Sequence, residues 1–399
     1  MVRARAEADG PIMTRVGVAR YGPLDAVAFA SIFVFGIVMA LLGAVMPLLS
    51  ARLALGLEEV ATLFLVTNGA MLAASVVVGP AMDRYGMKPP LAIGTALVGA
   101  ALVAIAWAPS MGVLLPALAG LGLGGGALNA GANTLVADLH EDPVAKGSAL
   151  NLLGVFFGVG ALLLPFSVGA LLASVGLPGL LAAGAALCGA TTVAVLVLGF
   201  PPPHHAQGWP LANVGRFVAM PVVLTLAFLL FFQSGNEFVL GGYLTTFLTQ
   251  ELAMPVERSS YLLAAYWASI MAGRLILSRG PLALVGAHTI VLGAAGLAAV
   301  GALAIGLAPS VAVAVAGVIF TGLALAGVYP TVLGIAGVRF REHSGTVFGI
   351  LFTIGLAGGM TMPWLAGHMA AWAGLRIVFV LVATNFLAVA VLSAVARHR

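Results

Sequence analysis

The chain has 399 residues, of which 62% are hydrophobic and 8% are charged, and its mean hydropathy is +1.14. Soluble domains contain about 45–50% apolar and about 25% charged residues, so this composition excludes an ordinary soluble fold and requires a lipid bilayer as partner. The formal net charge is +4, but the Lys and Arg residues do not cluster on one soluble face, so no nucleic-acid partner is expected.

Twelve apolar segments are long enough to cross a membrane, because a helix needs about 20 residues to span about 30 Å of hydrocarbon. An all-α membrane protein with twelve transmembrane helices is therefore predicted. We place the spans at residues 24–49, 60–80, 91–109, 111–137, 147–174, 177–200, 217–249, 259–278, 282–307, 310–338, 344–370 and 374–396.

The basic residues are distributed unevenly between the two sides of the membrane. Of the 17 Lys and Arg residues, 14 fall on the side of the termini, and only Arg52, Arg258 and Arg376 fall on the other. Because cytoplasmic loops carry the excess of Lys and Arg, both termini are predicted to be cytoplasmic. We expect an integral protein of the plasma (inner) membrane.

The chain contains two related sets of six spans. The boundary lies in the polar, Pro-rich stretch after residue 200. We therefore divide the chain into a cytoplasmic tail (1–22), an N-terminal six-helix half (23–200), a cytoplasmic inter-half loop (201–216) and a C-terminal six-helix half (217–399). Residue pairs that recur at an offset of 198 or 199 support this division: Gly147 with Gly345, Pro165 with Pro363, Gly169 with Gly367, and Gly36 with Gly235.

A charged block follows the second span. Gly79, Asp83, Arg84, Gly86 and Lys88 form the pattern G-x-x-x-D-R-x-G-x-K, which is typical of a tight cytoplasmic loop between two membrane helices. The pattern resembles the loop 2-3 signature of the major facilitator superfamily of secondary transporters. The resemblance implies the major facilitator fold, with two pseudo-symmetric six-helix halves, and transport by alternating access without enzymatic turnover or a cofactor.

We expect the five residues of this block to act as a conformational latch. Asp83 can face the positive N-terminal end of the eleventh span near Ser344, and Arg84 can pair with Asp138 or Glu141 at the end of the fourth span. These contacts would form when the protein is open to the outside and break when it opens inward.

Polar side chains inside the spans are candidates for substrate binding: Asn129 and Asn133 in the fourth span, Gln233 and Asn236 in the seventh, and Tyr329 in the tenth. Asn129 and Asn133 are spaced i, i+4 and share one helix face. Amide and hydroxyl groups suit a hydroxyl-rich ligand, because they donate and accept hydrogen bonds.

Glu237, in the seventh span, is the one carboxylate deep inside a predicted span. A charge at the centre of a span costs about 2.5–3.5 kcal/mol on insertion scales, so this side chain should be paired, hydrated or protonated. We predict that Glu237 binds substrate or carries a coupled proton. The structural alternative is a neutral Glu that hydrogen-bonds another helix.

Three short strings resemble the fucose/glucose/galactose:proton symporter branch of the superfamily. They are Gly235-x-Glu237 through Gly241-Gly242-Tyr243, Tyr329-Pro330-Thr331, and Ala132-Asn133-Thr134. The resemblance implies a sugar substrate and a coupled proton. In the fucose symporter the first and fourth spans each carry an acid, whereas Gly43 and Asn129 stand at those positions here. Coupling by that pair of acids therefore does not carry over to this chain.

The remaining candidates have structural interpretations. Arg274 lies about one turn inside the eighth span, where it resembles a degenerate second-half counterpart of the loop signature; alternatively, it snorkels to the cytoplasm. Cys188 is the one Cys, which excludes an intrachain disulfide. His204 and His205 have no third ligand nearby in the sequence, so no metal site is expected.

Three functions fit these residues. The leading one is a secondary active transporter for proton-coupled uptake of a sugar-like neutral solute, with the small molecule and a proton as partners. The second is efflux of amphipathic compounds or drugs, which the apolar lining of the predicted spans favours. A minor alternative is a transporter-like receptor or lipid scramblase. We expect a monomer.

The predicted topology can be tested by labelling. With a single Cys at position 206 or 256 in a Cys188→Ser background, an impermeant maleimide applied to intact cells should modify position 256 and leave 206 unmodified, because 206 lies in the cytoplasmic loop. Labelling at 206 but not at 256 would contradict the assigned orientation.

Overall fold

The computed structural model describes residues 21–140, 142–202, 211–279, 285–340 and 344–397, and the regular elements in these ranges are all helices. They are α1 Pro23–Leu53, α2 Leu57–Tyr85, α3 Lys88–Trp107, α4 Met111–Leu139, α5 Pro143–Val197, α6 Leu211–Val218, α7 Pro221–Gln250, α8 Val256–Arg279, α9 Ala287–Gly306, α10 Val311–Leu325, α11 Val328–Arg339, α12 Ser344–Ala373 and α13 Arg376–Arg397.

These helices make twelve spans, as the hydropathy of the chain predicts. Eleven stretches are long and apolar enough to cross a membrane, and the 53-residue stretch Ala145–Val197 contains two of the spans. The two meet at Gly176, whose φ of 65° is left-handed, a conformation that glycine adopts without strain. Helices α10 and α11 together form one span, and α6, with eight residues, is too short to cross.

Helix α10 ends where the sequence removes a hydrogen bond. Pro330 has no N–H to donate to the carbonyl of Ala326, and its ring crowds that carbonyl, so the helical hydrogen-bond pattern is interrupted before α11 begins at Val328. The span is therefore discontinuous near its middle. Discontinuous spans of this kind leave backbone carbonyls free for other partners.

Two arginines bind the terminal carbonyl groups of α3 and of α9, the corresponding helix of the second half. Arg52 donates to the carbonyls of Ile105 and Ala106 at the end of α3, both at 2.8 Å. Arg376 donates to the carbonyl of Gly306 at the end of α9, at 2.9 Å. A cation there satisfies terminal carbonyls and opposes the negative end of the helix dipole. Two of the three basic residues outside the predicted cytoplasmic set thus have local structural partners.

The halves repeat one another at an offset that grows slowly along the chain. Helix starts pair as Pro23 with Pro221, Leu57 with Val256, Lys88 with Ala287, and Met111 with Val311, at offsets of 198, 199, 199 and 200. The offset of the α2–α8 pair places Arg274 opposite Ser75, inside α2. Measured from the ends of the same two helices, Tyr85 and Arg279, the offset is 194 and places Arg274 opposite Pro80 in the charged block. The correspondence of Arg274 to that block therefore stays a prediction.

In the described part of the chain the two halves touch mainly through α1 with α7, α2 with α12, and α5 with α8, and to a smaller extent through α1 with α8. We call the end of the bundle at which α1 begins the near end, and the end at which α1 finishes the far end. Gly43 of α1 and Gly241 of α7 meet toward the far end, where a Cβ on Gly43 would overlap the Gly241 carbonyl oxygen. Thr245 donates a hydrogen bond to the Gly43 carbonyl. Only glycine allows this approach.

Toward the near end the halves part. Within the described residues, α4 and α11 make no comparable contact across the halves. Asn133 of α4 is exposed, and Tyr329 of α11 is half-buried. The protein is therefore closed at the far end and open at the near end.

The close contact at Gly43 predicts that Gly43→Ala, which adds one methyl group, will favour opening of the far end. In Gly43→Ala the Cβ would overlap a backbone oxygen that no side-chain rotation can move, so α1 and α7 must separate. Overpacking of this kind costs about 1–3 kcal/mol, a population shift of roughly 5- to 150-fold toward states open at the far end. A Cys at position 61, buried at the α2–α12 contact, should then react faster with maleimide in a Cys188→Ser background.

The matched control is Gly120→Ala in α4, where an added Cβ meets no atom within 4 Å. It should leave the labelling rate unchanged. Equal labelling rates for Gly43→Ala and the parent would show that the glycine contact does not hold the far end closed.

Candidate functional site

A small cavity lies between the halves, on the near side of the Gly43 and Gly241 contact. Its free volume is about 20 Å³, enough for about one water molecule. The wall from the N-terminal half is largely apolar, whereas the wall from the C-terminal half carries a carboxylate and an indole. The lining residues are Val38, Met39, Leu42, Phe64, Thr67, Asn68, Met71, Glu237, Phe238, Gly241, Gly242 and Trp267.

Glu237 is the acidic group of this cavity. It stands on the same face of α7 as Gln233 and Gly241, since the three are spaced at i, i+4 and i+8. Glu237 is half-buried, and within the described part of the chain its carboxylate has neither a hydrogen-bond partner nor a close ion pair. The geometry therefore leaves the carboxyl oxygens available to a proton or a ligand.

Arg274 of α8 faces the same site. Its charge and that of Glu237 interact, and both act on Tyr266 and Tyr329. Side chains lean toward the N-terminus of their own helix, and α7 and α8 are antiparallel. Glu237 therefore leans toward the near end and Arg274 toward the far end, which brings the two charges toward one level.

Several buried polar atoms around this pair lack a hydrogen-bond partner among the described residues. They are the Gln233 Oε1, the Tyr266 hydroxyl, the Trp267 Nε1 and the Arg274 Nε. An unpaired buried polar group costs about 1–3 kcal/mol, so these four atoms are candidates to bind a polar ligand or water. They are mostly donors, with Gln233 Oε1 as an acceptor.

Gln233 also connects the site to the break in the tenth span. Its Nε2 lies 3.5 Å from the carbonyl oxygen of Leu325, the last residue of α10. Tyr329 follows directly after the break, and its ring stacks on Phe352 of α12 with centroids 6.4 Å apart. The structure thus brings Gln233, Glu237 and Tyr329 into one region.

Asn236 points elsewhere. Its Oδ1 accepts a hydrogen bond of 3.0 Å from the Nδ2 of Asn385 in α13, and its side chain is fully buried. The contact lies within the C-terminal half and not on the cavity lining. Asn236 is one residue before Glu237, so the helix turns it away from the face that Glu237 occupies.

Asn129 and Asn133 lie on α4, across the near-end opening from the C-terminal half. Asn133 Nδ2 donates to the Asn129 carbonyl at 2.8 Å and approaches Asn129 Oδ1 at 3.2 Å. Their shared helix face is therefore as predicted from the spacing. They do not line the cavity that contains Glu237.

The latch residues lie at the near end of α2 and the start of α3. Asp83 and Arg84 are exposed, and the Arg84 guanidinium lies 5.2 Å from the ring centroid of Tyr85. Gly86 has a φ of 80°, which only glycine adopts easily, and Lys88 Nζ donates to the Leu198 carbonyl at 3.1 Å. A Cβ on Gly79 would meet no atom within 4 Å. Glu141 lies outside the described residues.

Sequence reasoning missed two residues of the site. One is Arg274, whose direction depends on which helix lies beside it. The other is Asn68 of α2, which donates at 3.0 Å to the carbonyl of Gly359 in α12 and so joins the halves beside the cavity. A buried Asn in a span is a usable signal, but its partner is 291 residues away.

Within the described ranges, no three His, Cys, Asp or Glu side chains come together as metal ligands. The loop residues His204 and His205 lie outside those ranges. Cys188 is buried and unpaired.

Comparison with known proteins identifies the family. The family model of the Major Facilitator Superfamily matches residues 28–279, more than half of the chain, and no curated protein matches. Similar solved structures include a D-xylose-proton symporter (13% identity, covering 93% of this chain and 96% of the other, TM-score 0.77) and a nucleoside transporter (15%, 94% and 98%, 0.76).

A third similar structure is the fucose:proton symporter of E. coli, at 16% identity, with 93% of this chain and 98% of the other covered and a TM-score of 0.65. At such low identities these likenesses report the fold alone. The twelve-span architecture, the charged block after the second span and the family match lead to one conclusion: the chain belongs to the Major Facilitator Superfamily.

Proposed function

We propose that the protein is a secondary active transporter that couples uptake of a sugar-like neutral solute to protons, with Glu237 as the proton site. The observation that carries this proposal is the position of Glu237. It lines the cavity between the halves, and one helical turn farther along α7 the halves touch at Gly241. The carboxyl group thus lies on the near side of the contact, and it would face the far side if that contact opened.

Arg274 gives a physical reason for coupling. While Glu237 is ionised, its charge and that of Arg274 compensate each other. When Glu237 takes up a proton, the guanidinium loses its counter-charge, and solute hydroxyls can accept hydrogen bonds from Arg274 and Trp267 and donate to Gln233. Proton uptake would therefore favour solute binding, and proton release at the near end would favour solute release.

The chemistry around Glu237 supports a hydroxyl-rich solute. Unpaired donors and acceptors lie beside the rings of Tyr266 and Trp267, whose faces suit the apolar side of a sugar ring. Two similar structures are described as proton symporters of D-xylose and fucose, which supports this class by analogy of fold only. If the termini are cytoplasmic, the near end is the cytoplasmic end, and the exposed Asp83 and Arg84 fit a latch that has parted in an inward-open state.

A second candidate is export of amphipathic compounds. It is favoured by the N-terminal wall of the cavity, where Val38, Met39, Leu42, Phe64 and Met71 offer an apolar surface. Thermal shift separates the two candidates, since a ligand at 100 times its Kd stabilises by about 2.7 kcal/mol. Stabilisation by D-xylose, fucose or another monosaccharide supports the first proposal, and stabilisation by hydrophobic cations alone supports the second.

The role of Glu237 is tested with Glu237→Gln in proteoliposomes, using the sugar that gives the largest thermal shift. If Glu237 carries the proton, the variant should keep counterflow exchange within a few fold of the parent but lose accumulation driven by an imposed pH gradient. The matched control is Glu59→Gln, an exposed acid at the start of α2, which should retain both. Normal gradient-driven accumulation in Glu237→Gln would overturn the assignment.

The interaction of Glu237 with Arg274 is tested without a substrate by a double-mutant cycle. Either Glu237→Gln or Arg274→Gln alone leaves a charge uncompensated, whereas the double variant restores balance. The thermal stabilities in detergent should therefore be non-additive, by roughly 0.5–3 kcal/mol. The exposed Glu251 and Arg376 pair, at 3.1 Å, gives a reference cycle expected near 0–1 kcal/mol. Strict additivity for Glu237 and Arg274 would exclude functional pairing of the two charges.

A further inference from the structure

A second titratable pair is buried in the N-terminal half, far from Glu237. His140 Nε2 lies 2.9 Å from Asp25 Oδ1, and the residues are 9% and 4% exposed. The other carboxylate oxygen of Asp25 accepts a hydrogen bond of 2.9 Å from the backbone N–H of Gly22. The pair joins the first turn of α1 to the residue that ends α4, at the near end of the bundle.

The two residues lie at helix ends of opposite polarity. Asp25 lies in the first turn of α1, where the helix dipole stabilises a negative charge, and His140 follows the last turn of α4, where the dipole stabilises a positive charge. A carboxylate with an imidazolium also makes a stronger hydrogen bond than with a neutral imidazole. The two helix dipoles and the 2.9 Å contact between His140 and Asp25 would therefore all stabilise an ion pair of imidazolium and carboxylate.

Other titratable groups at this corner are few among the described residues. Tyr21 lies edge-on to the imidazole, with ring centroids 6.0 Å apart. Asp138 on α4 and Asp142 before α5 are exposed, and the latter accepts from the Ala145 N–H. Lys146 on α5 is half-buried. The two buried members, Asp25 and His140, are thus bound directly to each other.

We propose that Asp25 and His140 form a second proton-binding site of this protein, at the near end and independent of Glu237. Imidazole is the side chain whose charge ordinarily changes between pH 5 and 8, so the ligand is a proton taken from the aqueous phase at that end. Uptake converts the hydrogen bond between the Asp25 carboxylate and a neutral imidazole into an ion pair, which ties α1 more firmly to α4. The proposal does not depend on the solute or on the role of Glu237.

The site has a consequence for the near end. His140 lies between Asp138 and Glu141, the residues that Arg84 is expected to approach in the latch. A proton on His140 would fix the end of α4 against α1 and so restrict where Asp138, two residues earlier on α4, can lie. The pH at the near end would then set how easily the latch forms, whatever solute is carried.

The test compares the wild type, Asp25→Asn and His140→Gln by thermal unfolding in detergent from pH 5.5 to 8. Asn and Gln keep hydrogen-bonding capacity but remove one charge each. The Tm of the wild type should rise relative to His140→Gln as the pH falls, by roughly 2–4 °C across the range, equivalent to about 1 kcal/mol. Asp25→Asn should abolish this pH-dependent gain. If the Tm difference between the wild type and His140→Gln stays constant with pH, the Asp25 and His140 pair has only a structural role.

A second measurement reads the proton directly. In protein labelled with ¹⁵N-histidine, the side-chain signals lost in His140→Gln identify His140 among the seven His residues. These signals should change from neutral to imidazolium shifts within pH 5.5–8, and Asp25→Asn should move that transition. A neutral imidazole throughout this range would overturn the proposal, even if the variants used for thermal unfolding proved unstable.

Two controls separate the outcomes. His368→Gln removes a histidine whose Nδ1 lies 2.9 Å from the Trp364 carbonyl, with no carboxylate, and should show a much smaller pH-dependent gap. The same series in a Glu237→Gln background should keep the full Asp25 and His140 effect. Loss of the effect there would place the titration at Glu237 instead, whereas failure of sugar transport alone would leave this site intact.

Discussion

The cost of an unpaired polar group in hydrocarbon is the constraint on which this structure depends. Within the described ranges, nearly all of the charged residues lie at or near the ends of helices. Arg52 and Arg376 bind carbonyls at helix ends, and Asp25 binds His140 at another. Glu237 and Arg274 are the exception, because they lie inside spans without a direct bond to a described residue. An exception to so costly a rule is where function is expected.

The second constraint is the distance between backbones where the halves meet. Gly43 and Gly241 approach so closely that a single Cβ would overlap a carbonyl oxygen. Such a contact has no interlocking side chains, so it can part without unpacking a core, and Thr245 and Asn68 add hydrogen bonds across the interface. A contact of small residues and a few hydrogen bonds suits a surface that must form and separate repeatedly.

The sequence predicts the spans well because hydropathy is a property of one segment at a time. It also predicts that Asn129 and Asn133 share a face and that Glu237 is exceptional, because both follow from local spacing and composition. It does not predict that Asn236 binds Asn385 or that Asp25 binds His140, since these partners are 149 and 115 residues apart. The direction of Arg274 was missed for the same reason: it depends on the antiparallel neighbour, α7.

The two halves differ in what they bring to the cavity, and this difference bears on mechanism. The C-terminal half supplies the Glu237 carboxylate and the Trp267 indole to the lining, while the N-terminal half supplies a largely apolar wall. Gly241 lies one turn, about 6 Å, beyond Glu237 along α7. The contact that closes the far end therefore lies directly beside the carboxyl group in question. In the proposed mechanism no separate gate is needed, because parting Gly43 from Gly241 would both open the far end and change the side from which Glu237 receives its proton.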